Sequence, residues 1–173
     1  MNPPFDLQPT LSGPRVMLRP LQAQDFNLLY AAASDPLIWT QHPDNRHEPA
    51  VFRTFFEGTL ASGGALLATE TGTGAVIGTS RFHWRDSHPH SLEIGWTFLA
   101  RPYWGGAYNG EMKRLMLTHA FGHVDHVVFL VAPGNLRSQR AVQKIGGKLQ
   151  ERLSDGRDQG YLVFRIDRFS WAE

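Results

Sequence analysis

Arg101-Pro102-Tyr103-Trp104-Gly105-Gly106-Ala107-Tyr108-Asn109-Gly110 separates two segments of different period. Before it, His90 to Leu99 alternates as a strand does; after it, Met112, Leu115, Met116, Ala120 and Phe121 recur at helical spacing. Small residues at such a junction let backbone amides approach a ligand closely. The N–H groups of a helix start have no partner within the helix, and the positive end of the dipole reinforces them, so the stretch suits a pyrophosphate. Glycine content alone is equally compatible with a plain connector. A P-loop would need lysine after Gly110, where Glu111 stands and would repel a phosphate. A dinucleotide fingerprint, Gly105-x-Ala107-x-x-Gly110, should follow its strand directly and lead to an acidic residue at the end of the next. Here residues intervene, and Asp125 begins a strand rather than ending one.

Working outward, residues 1–14 hold Pro3, Pro4, Pro9, Gly13 and Pro14 and read as an irregular arm. Ordered chain is expected from Arg15, as one domain over 15–173. Arg15 to Pro20 alternates as a strand. Phe26, Leu29, Tyr30 and Ala33 share a helical face within Asp25 to Ser34, and Pro49 opens a second helix carrying Phe52, Phe55, Phe56 and Leu60. Ala65 to Glu70, Ala75 to Trp84 and His90 to Leu99 form an expected antiparallel meander, with a turn at Asp86-Ser87-His88-Pro89. Val127 to Val131 is β-branched, Asn135 to Ile145 helical up to Gly146-Gly147, and Lys148 to Leu153 and Tyr161 to Phe169 are two further strands. The order is β-α-α-β-β-β-α-β-α-β-β, without internal repeats.

The chain has 173 residues, 42% of them apolar, enough for one sizeable core and too few for two ordinary domains. Seventeen Lys and Arg against 16 Asp and Glu leave a formal charge of +1, which argues against a nucleic-acid-binding surface. Cysteine is absent, so disulfides, thiolate metal sites and cysteine nucleophiles are excluded together, and a reducing cytoplasmic setting is expected. No membrane association is expected, because no apolar stretch is long enough to cross a bilayer.

Two signatures in order sharpen the reading. Ser91-Leu92-Glu93-Ile94-Gly95-Trp96 followed by Tyr103-Trp104-Gly105-Gly106-Ala107-Tyr108 resembles the strand and acetyl-CoA loop of the GNAT superfamily of N-acetyltransferases, whose loop reads Arg/Gln-x-x-Gly-x-Gly/Ala. Gly105 and Ala107 match the small positions; Pro102 stands at the first, with Arg101 adjacent. Asn135 to Gly146 resembles the second signature, an Asn-x-x-Ser helix ending in Lys-x-Gly. The pattern is similar to the RimJ/RimL-type enzymes of bacteria, which acetylate N-terminal amines of ribosomal proteins.

The resemblance implies an α+β fold, a three-layer α/β sandwich with a mixed, mostly antiparallel sheet of about seven strands flanked by about four helices. It implies acetyl-CoA as co-substrate, no metal, a primary-amine acceptor (a peptide N-terminus first, a small amine next) and a possible homodimer. It places Phe98 and Leu99 against pantetheine, and Gly105, Gly106, Ala107, Tyr108 and Asn109 around the pyrophosphate. Asn135 and Ser138, three apart on a helix, are set toward the thioester; asparagine there is equally a helix cap.

Acetyl transfer needs a neutral amine, and an α-amine titrates near ~8 against ~10.4 for lysine. Glu93, turned to the face opposite Leu92, is the candidate water-mediated base, with a surface charge or ion pair as the other reading. A thiolate of pKa near ~8.5 needs only a weak acid, Ser138 or water. The tyrosine that many GNAT enzymes carry one turn further along is replaced by Ala141 and Val142. His83 and Trp84 are candidates for the acceptor pocket or for plain packing. His119 and His123 lack the glutamate of a His-Glu-x-x-His metal motif. A non-catalytic acyl-CoA-binding module is the competing function; it would need the loop but neither Glu93 nor Ser138.

Overall fold

The computed structural model describes residues 4–85, 91–154, 156 and 158–171. The expected turn at Asp86 to Pro89 lies outside them. The elements run β1 (Leu11–Ser12), β2 (Val16–Pro20), α1 (Phe26–Ala33), α2 (Pro49–Ala61), β3 (Ala65–Glu70), β4 (Val76–Trp84), β5 (Leu92–Leu99), α3 (Ala107–Phe121), β6 (His126–Val131), α4 (Leu136–Lys144), β7 (Lys148–Arg152) and β8 (Leu162–Asp167). The four helices and seven of the strands match the sequence expectation. The eighth strand is β1, a two-residue pairing of Leu11 and Ser12 with Leu18 and Met17 inside the proline-bearing arm.

One sheet carries all eight strands in the order β1-β2-β3-β4-β5-β6-β8-β7. Every pairing is antiparallel except β5 with β6, because α3 must carry the chain back along one face between them. Alternation along each strand divides the interior into two layers. Phe82, Leu92, Ile94, Val127 and Phe129 face Met112, Met116 and Leu117 of α3 and Val142 of α4. On the other face Leu67 and Phe98 meet Leu29 of α1 and Phe52 and Phe56 of α2. Phe52 and Leu29 are fully buried, each worth roughly 2–3 kcal/mol of transfer free energy, which explains the aromatic stripe on α2.

Two irregularities position the site. The β4–β5 register shifts between Thr79 and Arg81, a bulge at which Trp96 takes φ 51°, the one non-glycine residue with positive φ among those described. The β5–β6 ladder holds only at Leu92 with Val127 and Glu93 with Val128, although both strands continue beyond. Past that point the two strands part.

Candidate active site

The gap between β5 and β6 leads toward the start of α3. Gly105 has φ +68°, a left-handed turn that only glycine adopts readily, and it swings the chain from the short turn Arg101–Tyr103 into the helix. Gly106 is the N-cap residue, with no side-chain cap and no acidic residue in the first turn, so the amides of Ala107, Tyr108 and Asn109 are left without helical partners. A Cβ at Gly105, Gly106 or Gly110 would meet nothing within 4 Å. Glu111, the residue that excludes a P-loop, turns away: its carboxylate accepts from the Arg15 and Val16 amides at 2.7 and 2.9 Å. Tyr108 also points elsewhere, its hydroxyl donating to Glu70 at 2.6 Å, so it offers a phosphate its backbone only.

Along the gap, the Phe98 ring packs against Trp39 and Phe55, and Leu99 is buried in the α3 layer. Neither side chain is free for a ligand; what β5 can present there is main chain. One main-chain group is already taken, since the Trp104 indole donates to the Leu99 carbonyl at 2.7 Å. Arg137 stacks over Trp104 with its guanidinium 4.0 Å from the ring centroid, and its amide donates to Gln41. The first turn of α4 is thereby tied to the segment before α2.

Glu93 lies on the sheet face opposite α3, 4% exposed. Its Oε2 accepts from Arg85 Nη1 at 2.8 Å, and Arg85 Nη2 donates to Asp158 at 3.2 Å. A Cβ on Gly95 would stand 2.9 Å from Glu93 Oε1, so the glycine lets the carboxylate lie along the strand. Burial pushes the carboxyl above its ordinary range, against the pull of Arg85. Glu93 is thus at once ion-paired and a buried carboxylate of raised basicity. Through Asp158 the pair reaches the β7–β8 loop, which with residues 40–43 and 132–134 walls a cleft of about 530 Å³. Burial, then the charge of Arg46, lowers His42 in that wall to about 4, so its ring is neutral.

Asn135 is the N-cap of α4, accepting from the Ser138 amide at 3.1 Å, and is nearly buried. His83 lies edge-on to Trp96 at 5.6 Å on the Glu93 face, whereas Trp84 is beside Phe5 of the arm, away from Glu93. His119 donates to the Asp6 carbonyl, with Phe5 packed on both His119 and His123. Among the described residues no group of three or more His, Cys, Asp or Glu could hold a metal.

Three residues had no sequence reading. Arg85 carries no local signal, because its partners come from a neighbouring strand and a distant loop. Arg81 stacks at 3.2 Å over Trp96 beside Glu93. Lys113 is buried, and the spacing Lys113, Leu117, Phe121 on an apolar helix stripe could have flagged it.

A slot between parting strands that ends on unpaired helix amides suits a thin arm with a phosphate tail, which defines the class: acyl-CoA-dependent transferases. A family model for the acetyltransferase (GNAT) domain matches residues 15–148, and the chain belongs to that family. An acetyltransferase from Agrobacterium tumefaciens has a similar structure, with 28% identity, TM-score 0.74, and 92% of this chain and 95% of that one covered. A GCN5-related N-acetyltransferase from Brucella melitensis aligns at TM-score 0.83 and 18% identity over 97% of this chain and 82% of its own. RimJ of Mycobacterium smegmatis, solved with CoA-disulfide, aligns at TM-score 0.70 and 17% identity over 91% and 84%. No curated protein matches the chain significantly. No described helix is long and apolar enough to cross a membrane.

Proposed function

We propose that this acetyltransferase acts on a primary amine, a peptide or protein N-terminal amine first and a small amine next, with Glu93 as base through one water. The observation that carries the reading is the buried Glu93 carboxylate beside the β5–β6 gap, joined through Arg85 to Asp158 in the loop whose next residues wall an open cleft. Acetyl-CoA would lay its pyrophosphate on the amides of residues 107–109 and run its pantetheine arm along the main chain of Phe98 and Leu99. The acceptor would enter from the Glu93 face. Raised basicity lets the carboxylate accept a proton relayed from the amine, whose lone pair then attacks the thioester carbonyl. The thiolate leaves with a proton from Ser138 or water. Arg85 keeps Glu93 oriented, and Asn135 keeps the first turn of α4 in place.

The experiment is turnover of acetyl-CoA against peptides with free N-termini, the same peptides N-blocked but carrying lysine, and small amines. Free-N-terminal peptides are expected to react fastest. Binding of CoA without turnover of any amine would instead support the non-catalytic acyl-CoA module.

A further inference from the structure

Lys113 sits in the second turn of α3, buried beneath the β4–β5 bulge. Its Nζ donates to Ser80 Oγ on β4 at 3.0 Å and to Thr97 Oγ1 on β5. The two hydroxyls are themselves 2.8 Å apart. Across the gap, the Phe129 ring of β6 has its centroid 5.8 Å from Nζ. An ammonium has three N–H groups, so one remains beyond the two hydroxyls, on an amine spanning from β5 toward β6 where the strands part.

A buried lysine ordinarily has a carboxylate beside it, because an unpaired charge in an apolar interior is costly. None is bonded to Lys113 among the described residues. The charged groups on elements packed against α3 are engaged elsewhere: Arg15 with Glu111, His119 with Asp6, and His126 with Ser91. Burial alone acts on the amine, lowering it to about 7. Ser80 and Thr97 could bond each other, and an apolar side chain would fill the space, so packing does not require an amine here.

We propose that Lys113 is the catalytic acid that protonates the departing CoA thiolate. This rests on the acetyltransferase reading above. On that reading the thioester lies in the β5–β6 gap, with Glu93 on one face of the sheet and Lys113 on the other. The amine, having passed its ammonium proton through water to Glu93, attacks from that side; its nitrogen bonds to the carbonyl carbon and releases its second excess proton to the water. As the C–S bond breaks, sulfur keeps the electron pair and takes a proton from the Lys113 ammonium. The neutral amine regains a proton from solvent when CoA leaves. Lys113 thus fills the role left open by Ala141 and Val142, where a tyrosine is absent, and relieves Ser138 of it.

The test uses CoA itself and the full chain, with thiolate absorbance read against pH at saturating protein. Amine and thiol should titrate as a coupled pair, the forming thiolate holding Lys113 charged, so that thiolate absorbance rises at least about one unit below the ordinary ~8.5. In Lys113→Met, with CoA affinity unchanged, the bound thiol should return to its free value or above. A wild-type thiol that titrates at or above its free value overturns the proposal whether or not the variant folds. So does an equal shift in both proteins. Absence of CoA binding in wild type overturns the acetyltransferase reading and this one together, whereas binding with an unshifted thiol overturns this one alone.

Discussion

Single side chains in this site do two jobs, and substitutions can separate them. Gly106 has φ −114° and open space around it, so Gly106→Asp is tolerated by the backbone and adds an N-cap carboxylate to α3. It should raise stability by up to about 1 kcal/mol while weakening CoA binding at least ~10-fold, because the new charge meets the pyrophosphate. A thermal melt and a calorimetric titration should thus move in opposite senses. Valine at Gly105 is a poorer probe, since φ +68° strains any β-branched residue there. Glu93→Gln keeps the shape of the Arg85 contact and removes the proposed base. The expected result is unchanged acetyl-CoA affinity and a kcat lower by roughly 10²- to 10⁴-fold, partly recovered at high pH where the amine is already neutral. Parallel pH–rate profiles of the two proteins would leave Glu93 a structural charge. Ser138→Ala should lose at most ~10²-fold in turnover, because the hydroxyl has no proton-transfer task that Lys113 or water cannot perform; a larger loss at constant CoA affinity would restore it as the acid.

At the scale of elements, α3 joins the glycine-rich turn at its start to β2, next to the sheet edge. Glu111 is the joint, receiving the amides of Arg15 and Val16 at the start of β2 and the Arg15 guanidinium at 3.3 Å. Burial pushes this carboxyl up, but those donors outweigh it and hold it below the usual range. The sign follows: its stabilising effect is present above the unfolded value of ~4.3 and is lost as pH falls through the lower folded value. Glu111→Ala leaves two amides unpaired and should cost roughly 2–3 kcal/mol at neutral pH. The difference between variant and wild type should shrink below about pH 4. Denaturant midpoints at pH 7 and pH 3 check both statements; an equal difference at the two values would mean packing, not the charge, makes the joint. The same helix shows what was readable beforehand. Its amphipathic run and its glycine-rich start are local patterns, whereas the destination of Glu111 lies 96 residues back in the chain.

For the molecule as a whole, Lys113 is a charge buried at the centre of the larger hydrophobic layer. The unfolded chain keeps this lysine protonated up to ~10.4, whereas the folded chain releases the proton near 7. Between those values the unfolded state binds more protons, so stability should rise with pH across the window. Lys113→Met removes that rise. Its stabilisation relative to wild type should reach a few kcal/mol at pH 6 and decline toward pH 10, as read from urea midpoints. A gain independent of pH would mean that the folded wild-type amine stays protonated up to its ordinary value, as in the unfolded chain.

The order of helices and strands, the glycine-rich turn before α3 and the Asn135 cap were determined by the sequence itself, because hydrophobic period, capping chemistry and glycine placement act over a few neighbouring residues. The strand at Leu11–Ser12 was hidden by the prolines around it, which favour irregular chain unless an existing edge such as β2 supplies partners. Only the tertiary structure decided that Glu93 meets Arg85 and that Arg85 meets Asp158, 73 residues further on. It also decided that β5 and β6 part after Glu93 and Val128, and that Lys113 ends beneath the β4–β5 bulge. Those contacts depend on strand register and helix packing, which are set by the burial of the whole core rather than by any local run of residues.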